Sequence, residues 1–400
     1  MKTPGILFLL IFIPFSAFCQ DAADYLMKAE ALTSGGNNDE AIQELSGALS
    51  ATSDYRLYLQ RARAYENKGD YPAAINDYNE ANKLNPNSGE YGLARIYAIK
   101  GDVQTSVYHL ELNLTSELKK SEKEIMLDPA FGVVENRPEW RTFWKKEHYS
   151  GLEKGVSEIE FYTSTGKIDD ARILLSQLKD TYPGADEVVY SEALVAMSSG
   201  KPADAARIVS KLADQPGMNE KYLRLLAAAQ VQSSNAAGAS VTYSRIIQSG
   251  VADAQLLLSR AECYRKTGEN DKAIADVERY LRYYPGDLNA LRLEGKTESV
   301  SGDNIKALEI FSKNLQLHPN EADLYIDRGN SYLAARSWDW AIKDYSMSLD
   351  LKPGNPDAWL NKGIALLNTG KKDEACHDFR KALSLGNKRA SEFINVNCIK

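Results

Sequence analysis

The sequence predicts an all-α protein, a solenoid of about ten helix hairpins with a C-terminal capping helix, and three observations lead there. A turn residue followed five positions later by alanine recurs along the chain. From Ala171 onward these alanines fall at 171, 205, 239, 273, 307, 341 and 375, a constant step of 34. Apolar residues flank each turn at helical spacing, and Pro86, Pro183, Pro285, Pro319 and Pro353 close units where a helix interior cannot continue. A fixed period of this length marks stacked supersecondary units.

Three N-terminal units begin near Ala22, Tyr55 and Asn87, and seven more at Leu152, Asp186, Glu220, Ala254, Leu288, Ala322 and Pro356. The turns read Gly36, Gly69, Gly101, Gly166, Gly200, Gly268, Gly302 and Gly370, with Ser234 and Arg336 standing where glycine is otherwise found. Glycine suits a helix end that must turn left-handed. Counting within each unit, place 8 is small (Ala62, Ala94, Ala193, Ala227, Ala261, Gly295, Gly329, Gly363) and place 20 is alanine, so two helices can approach closely. Aromatics at place 11 (Tyr65, Tyr97, Tyr162, Tyr264, Tyr332) and place 24 (Tyr78, Tyr243, Phe311, Tyr345, Phe379) are expected to fill the gap. Ser106 in the alanine place of the third unit, and Ser234 with Gln230 in the sixth, make those two units degenerate.

The units resemble the tetratricopeptide repeat family. The motif stands nearly complete as Tyr58, Ala62, Tyr65, Gly69, Ala74, Tyr78, Ala81 and Pro86. It recurs as Tyr325, Gly329, Tyr332, Ala341, Tyr345 and Pro353, and again as Trp359, Gly363, Gly370, Ala375, Phe379 and Ala382. The resemblance implies a right-handed α-solenoid whose first helices line a concave groove that binds other proteins or peptide segments. Residues 20–120 then form an N-terminal block of three units and 152–387 a block of seven. Between them, 121–151 reads as an ordered elbow packed by Phe131, Trp140 and Trp144, and 388–400 as the capping helix that a solenoid end requires.

Residues 1–19 read as an export signal: Lys2, an apolar run from Gly5 to Phe15, and small Ala17 and Cys19 before Gln20. The run is shorter than a membrane span, and membrane association would follow only from lipidation of Cys19, which Ser16 and Phe18 disfavour. An exported chain belongs in the periplasm or cell envelope, with secretion the alternative. Export places the remaining cysteines where disulfides persist. Cys376 and Cys398 are candidates for one, while Cys263 reads as a small buried thiol. Asn113-Leu114-Thr115 is a formal glycosylation sequon.

The composition is that of a folded globular chain, 44% hydrophobic and 26% charged over 400 residues. With 48 Lys+Arg against 55 Asp+Glu the net charge of −7 argues against nucleic acid as a partner. No catalytic, cofactor or metal pattern emerges. Gly295-Lys296-Thr297 lacks the upstream glycine of a phosphate loop, His109, His148, His318 and His377 are scattered, and no nucleophile elbow occurs. Asp169-Asp170 and Asp373-Glu374 begin second helices, where carboxylates offset the dipole.

What remains is a lined face. Arg265, Lys266, Arg292 and Lys296, beside Glu262 and Asn289, form a locally basic stretch suited to an acidic segment. Asp327, Asn330 and Asn361, beside Asp323, Asp357 and Asn368, continue the face as a neutral to acidic stretch. Asn330 and Asn361 match two asparagines with which some family members hold a C-terminal carboxylate, but Ile326 replaces the expected lysine. The expected function is a non-catalytic envelope scaffold, with no small-molecule substrate. The alternative is a co-chaperone holding unfolded clients on an apolar groove at Leu258, Leu293, Ile326 and Leu360.

Overall fold

The computed structural model describes residues 22–214 and 219–398. The expected export signal and Cys19 lie outside the described residues. Two compact units divide the chain, 1–146 and 147–400, and the division falls inside the stretch expected to be the elbow. All regular structure among the described residues is helical.

The first unit holds three hairpins: α1 (Ala22–Ser34) with α2 (Asn38–Ala51), α3 (Tyr55–Asn67) with α4 (Tyr71–Leu84), and α5 (Glu90–Ile99) with α6 (Val103–Leu114). Then come α7 (Glu122–Leu127), a 3-10 turn at Pro129–Val133, and α8 (Pro138–Phe143). The second unit holds seven hairpins. They are α9 (Gly151–Ser164) with α10 (Ile168–Thr181), α11 (Asp186–Ser198) with α12 (Pro202–Ala213), and α13 (Glu220–Gln232) with α14 (Ala236–Gln248). They continue as α15 (Gln255–Thr267) with α16 (Asn270–Leu281), α17 (Leu288–Ser301) with α18 (Asn304–Leu317), α19 (Ala322–Ala334) with α20 (Trp338–Leu351), and α21 (Pro356–Asn368) with α22 (Lys372–Ser384). Helix α23 (Ala390–Asn397) closes the unit.

Each second helix packs on the first helix of the next hairpin. First helices also touch their successors (α1 with α3, α3 with α5, α9 with α11, α15 with α17, α17 with α19, α19 with α21), whereas second helices do not pack comparably on one another. Within each unit the first helices therefore form the inner side of the stack. The nine alanines of the repeating place are 0% exposed, and so is Ser106, whose hydroxyl donates to the Ala94 carbonyl at 2.9 Å. Serine is tolerated there because that bond satisfies its only costly atom.

Volume is matched between residues 16 apart in six hairpins, whereas Ala62 and Ala227 face the larger Tyr78 and Tyr243. A Cβ on Gly295 would lie 2.6 Å from the Phe311 ring, one on Gly329 2.9 Å from Tyr345, and one on Gly363 2.6 Å from Phe379. Where place 8 is Ala193, Ala261 or Ala94, the facing residue is the smaller Val209, Val277 or Leu110. Phe311, Tyr345 and Phe379 are fully buried, and truncating such an aromatic to alanine costs about 3–5 kcal/mol. The place-11 tyrosines depart from expectation: Tyr65, Tyr97, Tyr162, Tyr264 and Tyr332 are only half-buried. Several instead lie under cations, as Tyr97 does under Lys100 and Tyr264 under Lys272.

The turns show why the period survives two substitutions. Ser234 and Arg336 take φ of +63° and +56°, the left-handed conformation that glycine supplies in the other turns. The backbone path is kept and the side chain bears the strain.

In the elbow, Asp128 caps the 3-10 turn through the Ala130 N–H and accepts from the Tyr91 hydroxyl at 2.7 Å. Phe131 stacks on Trp140 at 5.2 Å, and Trp140 on Phe143 at 5.8 Å. Trp144 is half-buried and packs edge-on against Trp140 at 5.8 Å and Phe143 at 5.0 Å, and buried Phe143 is a member of the cluster that the sequence reading missed. Asn113 of the sequon is buried, its amide bonded to the Leu118 carbonyl at 3.1 Å and the Lys120 N–H at 3.0 Å. That side chain is a structural brace and cannot carry a glycan in the folded chain.

At the C-terminus, Cys376 and Cys398 form a disulfide that ties the end of α23 to α22. Phe393 of α23 stacks on Phe379 at 5.1 Å, and Asn387 before it donates to Asp357 at 2.7 Å. No helix of the described residues is long and apolar enough to cross a membrane.

Candidate functional site

The inner side of the second unit carries the residues that the sequence singles out. Arg265, Lys266, Arg292 and Lys296 come from α15 and α17, where a step of one hairpin brings residues 27 to 34 apart into line. They are not a bare basic stretch. Arg265 donates to both oxygens of Glu262, at 3.0 and 2.8 Å, and Lys266 stands 3.9 Å from the same carboxylate. Arg292 Nε donates to Asp327 at 2.6 Å, Lys296 lies 3.1 Å from its other oxygen, and Arg292 Nη1 reaches Asp323 at 3.5 Å.

Asp327, expected to line the open inner face, is only 5% exposed. It is the counter-ion around which Arg292 and Lys296 are fixed. Burial lowers the Arg292 pKa and Asp327 raises it, with a net rise. Burial pushes the Glu262 carboxyl up, but Arg265 outweighs it, aided by Lys266 and Lys296, so the group stays ionised. The basic stretch is thus an ordered lattice of both signs, in which Lys266 and Lys296 keep the most exposed and least used donors.

Asn330 and Asn361 are brought together. The Asn361 amide donates to Asn330 Oδ1 at 3.0 Å, and the Tyr345 hydroxyl donates to the same atom at 2.7 Å. Asn330 is thereby held by the repeat itself, its oxygen satisfied twice. Gly295-Lys296-Thr297 is helix interior: Gly295 abuts Phe311 and Thr297 bonds back to the Leu293 carbonyl at 2.7 Å. Of the apolar candidates, Leu258 and Leu360 are buried, and Leu293 and Ile326 half-buried. Among the described residues no group of three or more metal-binding side chains is placed to hold an ion.

One recurring arrangement escaped the sequence reading. Arg61 forks onto Asp77 at 2.7 and 2.8 Å, Arg260 onto Asp276 at 2.7 and 2.6 Å, and Arg328 onto Asp344 at 2.7 and 2.8 Å. Each also donates to a serine of the preceding hairpin: Ser46 at 2.9 Å, Ser244 at 3.0 Å and Ser312 at 3.1 Å. Lys362 meets Asp378 at 3.2 Å in the last hairpin. The signal that would have found it is an Arg at place 7 with an Asp 16 residues on, at place 23. The aspartates are nearly buried, the three arginine pairings are bidentate, and the serine contacts tie each hairpin to the one before.

Stacked hairpins with a shared alanine spine and a lined inner side define a helical-repeat interaction scaffold. Three stretches match the tetratricopeptide repeat: residues 55–88, 255–287 and 320–390. The chain carries tetratricopeptide repeats, units whose arrays bind proteins and peptides. Its fold is similar to that of a tetratricopeptide repeat protein from Parabacteroides merdae, with TM-score 0.52 and 17% identity over 62% of this chain and 99% of that one. The C-terminal part of a TPR repeat-containing protein from Cytophaga hutchinsonii matches at TM-score 0.46 and 15% identity, over 59% of this chain and 98% of that one. A chain of the APC/C hetero-tetramer Cut9–Hcn1 matches at TM-score 0.45 and 13% identity, over 96% and 97%. No curated protein matches.

Proposed function

We propose that this protein is an exported, non-catalytic scaffold of the periplasm or cell envelope that docks acidic segments of partner proteins on the inner side of its second unit. The observation that carries the reading is the Glu262–Arg265–Lys266 and Arg292–Lys296–Asp327 lattice, fixed by its own ion pairs while Lys266 and Lys296 retain donors for a ligand. Preorganised charge of this kind favours specificity and fast association. Export rests on Lys2 and the apolar run that follows it.

The co-chaperone alternative needs an exposed apolar groove, and the burial of Leu258 and Leu360 weighs against it. Reversing Arg292 would strand nearly buried Asp327, so the better probe is Lys266→Glu/Lys296→Glu. An acidic peptide array is expected to lose binding to this variant while the circular dichroism spectrum is kept. Unchanged binding rejects the groove assignment. Fractionation of cells, with N-terminal sequencing of the mature chain, tests export; an intact Met1 in the cytosol rejects it.

A further inference from the structure

A recess of about 300 Å³ opens between α10, α11 and α12, and it sits where the Arg–Asp fork is missing. In this hairpin the arginine place is Glu192 and the aspartate place is Ile208, and both line the recess. Lys179 draws the Glu192 carboxylate aside at 2.9 Å, so nothing fills the space a guanidinium occupies elsewhere.

The lining is amphiphilic. Its floor is Leu175, Val195, Ala196 and Ile208. Its rim carries Arg172, Lys201 and Arg207. Arg172 is held in place across the rim, donating to Ser199 Oγ at 2.9 Å and to Asp169 at 3.1 Å. Arg207 makes a 3.4 Å contact with Asp204, and Lys201 pairs with no carboxylate among the described residues. Counting Lys179 with the rim, four cations face Asp169, Glu192 and Asp204, which leaves one positive charge uncompensated.

We infer that this recess is a ligand site for an aliphatic carboxylate. Its hydrocarbon lies on the apolar floor and its carboxylate takes the ammonium of Lys201 and the positioned guanidinium of Arg172. The volume is at the small end of the range for ligand pockets, which limits the ligand to a short chain. The site is separate from the inner-side lattice, and neither depends on the other.

The test is a saturation-transfer NMR titration of the full chain with butanoate, hexanoate, octanoate and hexanamide. Affinity is expected to rise about fourfold per added methylene until the floor is filled. Hexanamide is expected to bind at least tenfold more weakly than hexanoate. Arg172→Gln/Lys201→Gln, at exposed positions, is expected to abolish the difference between acid and amide, while Lys371→Gln/Arg380→Gln leaves it intact. Acetyl-Ala-Leu, run beside 4-methylpentanoate, tells a chain terminus from a free acid as the source of the carboxylate. Equal binding of acid and amide, no dependence on chain length, or no effect of the rim variant each overturns the site.

Discussion

Two neighbouring hairpins of the second unit solve the same joint differently. In the hairpin of α19 and α20, Arg328 is clamped between Asp344 of its own second helix and Ser312 of the hairpin before it, with its guanidinium near the Tyr325 and Tyr332 rings. In the hairpin of α17 and α18 the same three places hold Glu294, Ile310 and Glu278. Burial there raises the Glu294 carboxyl above its ordinary value. Glu278 and Glu298 push the same way, while Lys306 and Lys313 oppose. Lys306 is drawn to Glu298 at 2.5 Å and stands 3.9 Å from Glu278. Both joints keep the alanine spine and the glycine–aromatic fit, so those features suffice to stack hairpins. The fork ties together the joints that have it; where it is absent, Glu294 is a crowded carboxylate, Glu192 lines an open recess, and Leu226 with Thr242 is buried.

The largest expected effect comes from breaking a fork. Asp344→Ala strands the half-buried Arg328 and is expected to cost about 3 kcal/mol. Because repeat arrays unfold by neighbourhoods, hydrogen exchange of α19 and α20 amides reports it better than a single transition. Protection that stays at wild-type level would show that the fork contributes nothing to the joint. Gly329→Ala, in the same hairpin, forces a methyl against the buried Tyr345 ring and is expected to cost about 2 kcal/mol by urea unfolding. A loss below a few tenths would mean that the ring has room to move.

Transplanting the fork sharpens the contrast. Glu278→Ser/Glu294→Arg/Ile310→Asp is expected to protect the joint between α16 and α17 by about 1 kcal/mol in hydrogen exchange. Added protection elsewhere but not at that joint would count against the comparison.

The smallest effect is a pH dependence. A carboxyl whose folded pKa is raised binds its proton more tightly folded than unfolded. Its favourable contribution is therefore complete below the ordinary carboxylate range and is lost as pH rises through the raised value. Amides of α17 are expected to gain protection on acidification through that window, and Glu294→Gln is expected to flatten the dependence. A slope that survives in the variant would assign it to other carboxyls.

Much of this was legible in the chain itself. The constant step fixed the hairpins from Ala171 to Ala375, and the small place 8 announced close helix approach. The lined face was found, but its electrostatics were misread, because Asp327 looks like any exposed acid until α19 is laid beside α17. Likewise Arg61 and Asp77 are 16 residues apart and unremarkable one at a time; only packing shows that their side chains meet.

Sequence alone determined the helices, their turns and their stacking order, because these depend on apolar spacing, chain-turning residues and volumes repeated at a fixed interval. Tertiary structure decided which charges are spent on one another, which cysteines bond and where a hole opens. Those outcomes depend on distances between helices that no local pattern encodes.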